Sequence, residues 1–289
     1  MTNQLTAVPV TLVTRAPDRV KLYPLRDTRT MLRRNLKQQA RDKVAVFAII
    51  GIPVLFLLLF VYVFGGALGH SVTGVAAQNY VNFVLPGLII MTAAAGLIGI
   101  STQTSVDMTA GIINRFRTMP IYRPSILIAR VVASTLQAVI SIAVVIGIAF
   151  AMGLSPSATF VEWIALAGFV AYVSFCLCWL GLAFGLAAKS VGSASNGPFP
   201  LILLPLVSSG IVLPSTMSTG VRYFAEYQPF TPMVDTLRGL LFGTGIGSDV
   251  YSGLAWATGF GLLGLLWSVR AFNSERKSVP TPGFLTAGD

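Results

Sequence analysis

The chain has 289 residues, 54% of them hydrophobic and 10% charged, with a mean hydropathy of +0.77. That leaves too little polar surface to coat a soluble globule of this size, so a soluble fold is excluded. The net charge of +10 raises nucleic acid as a partner, but anionic lipid and the insertion machinery account for it, and no nucleic-acid role is assigned.

Residues 1–22 have neither periodicity nor apolar density, and a disordered tail is predicted there. From Tyr23 to Val44, Leu25, Leu32, Leu36 and Ala40 recur at helical spacing. Arg26, Arg29, Arg33, Arg34, Lys37 and Arg41 crowd the other faces. This is the pattern of an amphipathic helix lying among lipid headgroups. It serves either as a topology anchor or as an anchor that also touches a cytoplasmic partner.

Six apolar runs follow, at roughly 44–66, 82–103, 125–152, 161–188, 198–217 and 251–272, each near the ~20 residues that cross a bilayer. They are read as helices, because a lipid-exposed backbone must satisfy its own hydrogen bonds and the alternation of barrel strands is missing. The fold class is therefore all-α and integral to the membrane. Some 43 mostly polar residues precede the first run, which is too long for a signal-peptide core, so no cleavable leader is expected.

Between the second and third runs lies "DMTAGIINRFRTMPIYRP". Counted by connection, 18 of the 20 Lys and Arg share one face with both termini, leaving Arg222 and Arg238 for the other. By the positive-inside rule the topology is N-in and C-in, with this loop and the 276–289 tail in the cytoplasm. Its arginines either mark the inside only or dock a helix on a soluble partner. In the second case Arg115 and Arg117 supply charge-assisted contacts, Phe116 and Met119 apolar ones, and Pro120 and Pro124 a stiff exit.

In the fourth run Cys176 and Cys178 stand two apart and are read as small core residues. The "GLAFG" at Gly181–Gly185 is read as close intramolecular packing. Pro198, Pro200, Pro205 and Pro214 predict a kinked or broken fifth span. After it, Phe224, Tyr227, Phe230, Leu237, Leu240 and Leu241 form the apolar side of an outside element.

Several function classes are absent. No G-x-x-x-x-G-K-[ST] cradle occurs, and "GTGIG" at Gly243–Gly247 has no following Lys, so the chain carries no ATPase of its own. Asp107, Arg130, Glu162 and Lys189 lie near span ends, which leaves no mid-depth relay for an ion-coupled carrier. The lone His70 is read as solvated, and no catalytic group or metal site is assigned.

The run D-x-x-x-G-x-x-x-R-F-R-T-M-P, Asp107 to Pro120, followed by "ILIARVVAS" at Ile126–Ser134, resembles the intracellular loop of type-2 ABC exporter permeases, nearest the daunorubicin-resistance branch. "LPLVSSGIVLPSTMSTGVRYFAEYQPFTPMVDTLRGLLFG", Leu204–Gly243, resembles that family's fifth span with its S-G-x-x-x-P turn and outside element, Gln228, Pro229, Asp235 and Arg238 holding the motif places. The likeness spans residues 23–275. It departs at Asp107 and Thr109, where many members show an E-R or R-E run.

The resemblance implies a dimer of six-helix subunits, a homodimer or a paralogous heterodimer, with each subunit resting on a separate ABC ATPase. That partner binds ATP and Mg; this chain binds no cofactor directly. Cargo would be a hydrophobic drug or lipid moved outward across the cytoplasmic membrane, with polysaccharide export as the alternative and an ion-coupled carrier behind it. Carried over, Asp107, Gly111, Arg115, Phe116, Arg117, Met119 and Pro120 belong to the coupling helix, and Arg29, Arg33 and Lys37 to the connecting helix. Leu206, Ser208, Ser209 and Val212 belong to the cargo path. Phe224, Tyr227, Pro229, Asp235 and Arg238 belong to an outer gate that re-enters the membrane.

Overall fold

The computed structural model describes residues 23–64, 80–112, 122, 124–210, 218–243, 245 and 247–274. All regular structure among them is helical. Helix α1 (Pro24–Arg41) starts on a proline, whose missing N–H is one of the first-turn donors that have no helical acceptor anyway. Asp42 leaves helical geometry with ψ 81, and α2 (Lys43–Leu58) starts at the next residue. It continues as a π-helical turn, Leu59–Phe64.

The predicted leucines are not what holds α1 to the protein. At about 100° per residue, Asp27, Met31, Asn35 and Gln39 share one stripe. Asn35 and Gln39 are buried, whereas Leu25 is 87% exposed and Ala40 is exposed too. Gln39 Nε2 donates to Ser134 Oγ at 3.3 Å, the Tyr122 N–H donates to Asp27 Oδ2 at 3.1 Å, and Ser125 Oγ to the Pro24 carbonyl at 3.5 Å. A polar stripe thus fastens the helix to α4 (Pro124–Ala151), while of the predicted apolar stripe Leu32 and Leu36 are half-buried and Leu25 and Ala40 exposed.

Helices α3 (Tyr80–Thr109) and α5 (Phe160–Ala187) form the centre: 72% and 78% of their most apolar windows are buried, against 22% for α10 (Asp249–Ser274). Their contact is set by the "GLAFG" glycines. A Cβ on Gly181 would lie 2.5 Å from Ile100 Cγ2, and one on Gly185 2.6 Å from the Ser101 carbonyl. In a bilayer, where lipid is as apolar as leucine, such close approach supplies the packing attraction between helices. Gly264 of α10 is seated against the Leu180 backbone and Gly261 against Cys176, so the second helix pair uses the same device.

Among the described residues four helices are long and apolar enough to cross a membrane: α3, α4, α5 and α10 over 249–273. The first and fifth predicted spans fall on shorter apolar stretches, Phe47–Val63 and Val191–Val207. The fifth is broken. Ser190 caps the short α6 (Val191–Asn196), Pro198 opens α7 (Phe199–Leu203), and a 3-10 turn, Leu204–Val207, runs to Ser208–Gly210. Ser101 Oγ donates to the Ala194 carbonyl, while Gly210 touches Gly87. These partners are fourteen residues apart on α3, so the segment travels about 21 Å along it by helix rise.

Helix α3 outruns its prediction by six residues, because polar Ser101, Thr104, Ser105 and Asp107 are buried there against neighbouring helices. The outside element, expected as one piece, is two: α8 (Thr219–Tyr227) and α9 (Phe230–Phe242), parted at Gln228–Pro229. Phe230, Met233, Val234, Leu237 and Leu241 are fully buried. Helix α9 is therefore inserted, and the Leu241 carbonyl accepts from the Ser157 N–H of the α4–α5 turn.

Candidate functional site

At the α1 end, Arg130 Nη2 donates to Asp107 Oδ2 at 2.9 Å, and its Nε reaches Thr104 Oγ1 at 3.4 Å. The two charged residues are 5% and 4% exposed. Leu127, Leu182 and Leu186 wall the pair in, and Met31 and Asn35 of α1 cover it. The ion pair joins α3 to α4, and α1 packs over it. Asp107 Oδ1 has no hydrogen-bond partner among the described residues. Removing either member of such a pair leaves an uncompensated buried charge, a loss of roughly 3–5 kcal/mol.

Two residues beyond Thr109 the backbone turns. Gly111 takes φ +68, in the left-handed region that suits glycine at a helix end, and its N–H donates to the Met108 carbonyl at 3.0 Å. The motif's Asp and Gly thus end a spanning helix: Asp107 faces inward to Arg130 and Gly111 turns the chain out. Arg115, Phe116, Arg117, Met119 and Pro120 lie outside the described residues. The loop's other side returns at Tyr122, which donates to Asp27 of α1. Arg29, Arg33 and Lys37 are exposed on α1, four residues apart on one face.

Sequence reasoning counted Arg130 among the inside-marking charges and missed its inward role. A signal existed, since Arg130 stands five residues inside an apolar run, where an ionisable group needs a partner.

The opposite end of α3 carries a second polar junction. Asp235 Oδ1 accepts from Ser209 Oγ and from Arg238 Nη1, each at 2.8 Å. Arg238 Nη2 donates to the Ser209 carbonyl at 2.8 Å, and its guanidinium lies 5.1 Å from the Phe83 ring centroid. Beneath it, Gly87 and Gly210 meet so closely that a Cβ on Gly210 would lie 2.6 Å from Gly87 Cα. Of the predicted gate, Asp235 and Arg238 meet here on α9, and Pro229 forms the break. Phe224 and Tyr227 are exposed on α8.

The expected cargo-path residues divide. Ser208 is buried and bonded into its turn, donating to the Pro205 carbonyl at 2.6 Å. Leu206 packs on the core, Ser209 belongs to the polar junction, and Val212 is outside the described residues. An apolar groove of 440 Å³ lies elsewhere, between α2 and α3 at the α1 end, lined by Ile49, Ile52, Pro53, Ile98 and Gly99 with Gln103. Periodicity alone does not show that groove, because its apolar residues suit lipid as well as core.

A family model described as ABC-2 type transporter matches residues 26–242. The daunorubicin resistance ABC transporter permease protein DrrB1 of Streptomyces coeruleorubidus is 26% identical over 203 residues, 70% of each chain. The probable doxorubicin resistance ABC transporter permease protein DrrC of Mycobacterium tuberculosis is 24% identical over 261 residues, 85% of this chain and 88% of the relative.

Proposed function

The chain belongs to the ABC-2 type transporter family, and from that premise we propose that it moves drug- or lipid-like amphiphiles outward across the cytoplasmic membrane. It is a multi-pass transmembrane permease, and its family implies a separate ABC ATPase that supplies the energy. In this reading six spans run with both termini inside, α1 is the connecting helix, and the Asp107–Pro120 segment couples to the ATPase, with Arg115, Phe116, Arg117 and Met119 docking in its cleft. Two permease subunits, copies or paralogues, complete the transporter, with ATP and Mg held by the ATPase alone. Cargo enters by the α2–α3 groove and leaves past α9.

The observation that carries this is the Asp107–Arg130 pair. It stands at the root of the proposed docking loop and binds that root to α4, with Met31, Arg34 and Asn35 of α1 packed over it. A push on the loop then moves three helices together, because an interior of close-packed side chains transmits displacement. The drug cargo rests on the resistance names of the relatives.

The test is reconstitution of permease and ATPase in vesicles. Phe116→Asp and Met119→Asp introduce a charge into the docking contact while leaving the spans unaltered. The reading expects amphiphile-stimulated ATP hydrolysis and export to fall together in both variants. Normal rates in both would remove the loop from the coupling role.

A further inference from the structure

Helix α1 carries a cation-lined cavity of 490 Å³, formed by Thr30, Arg33, Arg34, Lys37, Gln38 and Arg41. Arg33, Lys37 and Arg41 recur every four residues, so they share one face of the helix, and all three are exposed. None of the three has a hydrogen bond or ion pair among the described residues. No carboxylate lines the cavity. Like charges at that spacing repel one another, and an anion seated among them relieves the repulsion.

A second, independent feature adjoins it. Gln38 lines both this cavity and the 440 Å³ groove between α2 and α3. That groove is apolar along Ile49, Ile52, Pro53 and Ile98, and Gly99 leaves room in its wall: a Cβ there would meet only Ile49 Cδ1, at 3.5 Å. Its end at α1 is polar, with Gln38 and Asp42. Asp42 is the one carboxylate of the groove lining, and its charge favours seating an anion away from the groove mouth, toward Lys37 and Arg33. A basic compartment thus opens beside an apolar one.

That division selects the ligand. A free phosphate uses the cations and leaves the groove empty. A zwitterionic lipid fills the groove, but its own ammonium meets only like charge along α1. An acidic surface on a soluble protein matches the cations and gives the adjoining groove no role. A phospholipid of net negative charge uses both compartments, because Lys and Arg attract its headgroup while their stems lie along its apolar part.

We propose that α1 and the α2–α3 groove together hold one anionic phospholipid from the leaflet at the α1 end, its phosphate against Arg33, Lys37 and Arg41 and one acyl chain along Ile49, Ile52 and Ile98. The basic face is then a defined lipid site and not only a diffuse attraction to headgroups. A chain seated there fills the groove that the transport reading gives to incoming cargo, so cargo must displace it. That consequence rests on the transport reading. Binding itself does not, and is measured on the permease alone.

Permease purified in detergent without its ATPase is titrated by calorimetry with dioctanoyl phosphatidylglycerol, dioctanoyl phosphatidylcholine and inorganic phosphate. Saturable phosphatidylglycerol binding is expected, at least tenfold tighter than either of the others. The double change Lys37→Gln with Arg41→Gln alters exposed positions and leaves the Asn35 and Gln39 stripe intact, and it should weaken phosphatidylglycerol about tenfold. Lys37→Arg with Arg41→Lys should retain it. Gly99→Leu, which fills the groove, should weaken both lipids; where it fails to fold, the exposed double change decides. Equal affinity for phosphatidylcholine, undiminished binding in Lys37→Gln with Arg41→Gln, or displacement of the lipid by equimolar phosphate would overturn the proposal. So would normal lipid binding in that double variant with loss of ATPase association in a pull-down, which assigns the basic face to the ATPase. The lipid measurements need no ATP-driven export, so the two readings fail separately.

Discussion

At the α1 end, α3 is tied to α4 by one carboxylate–guanidinium pair whose side chains are 6–7% exposed and sealed among long helices. At the other end it meets Arg238, whose partner Asp235 sits on a short inserted helix, the two side chains 24% and 31% exposed beside an open cavity. The chemistry is the same and the mechanics differ. The sealed pair joins α3 to α4 beneath α1, and breaking it would leave a buried charge without a partner. The open pair links α9 to a proline-broken segment through Ser209, and water from the cavity can take over each bond as it breaks. In the proposed reading, a transporter pushed from one side and opening on the other would use that asymmetry, with the rigid joint where force enters and the exchangeable one where the path parts.

The largest expected effect breaks the sealed pair. Arg130→Leu strands Asp107 in an apolar pocket and should destabilise the protein by roughly 3–5 kcal/mol, read as a loss of thermal stability in detergent. The double change Asp107→Leu with Arg130→Met removes both charges and should recover most of that stability without recovering export. Recovery of both would reduce the pair to a structural detail.

Asp235→Asn tests the open side. The amide still accepts from Ser209 and Arg238 in water's presence, so stability should fall by only about 1 kcal/mol, with export impaired more than folding. If the stability loss matched that of Arg130→Leu, the contrast between the two junctions would be wrong. Smallest of all is Arg222→Ala. Its i,i+4 pair with Glu226 is exposed and worth only a few tenths of a kcal/mol, and neither melting temperature nor export should change measurably.

Where a residue's meaning is local, the sequence was readable. The "GLAFG" glycines mark a close crossing, and Pro198, Pro200 and Pro205 break the fifth span where they stand. Where meaning depends on which way a face turns, it was not. A leucine suits lipid and core equally, so the periodicity of α1 could not reveal that Asn35 and Gln39, not Leu25, meet the protein. Hydropathy likewise drops through Ser101–Asp107 although the helix continues, because Ser101 and Thr102 find partners on α6, and Thr104 and Asp107 on α4. Arg130 was legible as a charge and not as a joint, and the Gly87–Gly210 contact joins segments 123 residues apart in sequence.

The rigid joint is tested most directly by the double change Asp107→Leu with Arg130→Met in the reconstituted complex with its ATPase, which removes both charges together and strands neither. ATP hydrolysis with and without an amphiphile is measured beside export, and ATPase association by pull-down. Association and basal hydrolysis should persist, while amphiphile stimulation and export fall at least tenfold together. Stimulation and export at wild-type rates in a complex that assembles normally would contradict the claim that force enters through the Asp107–Arg130 pair.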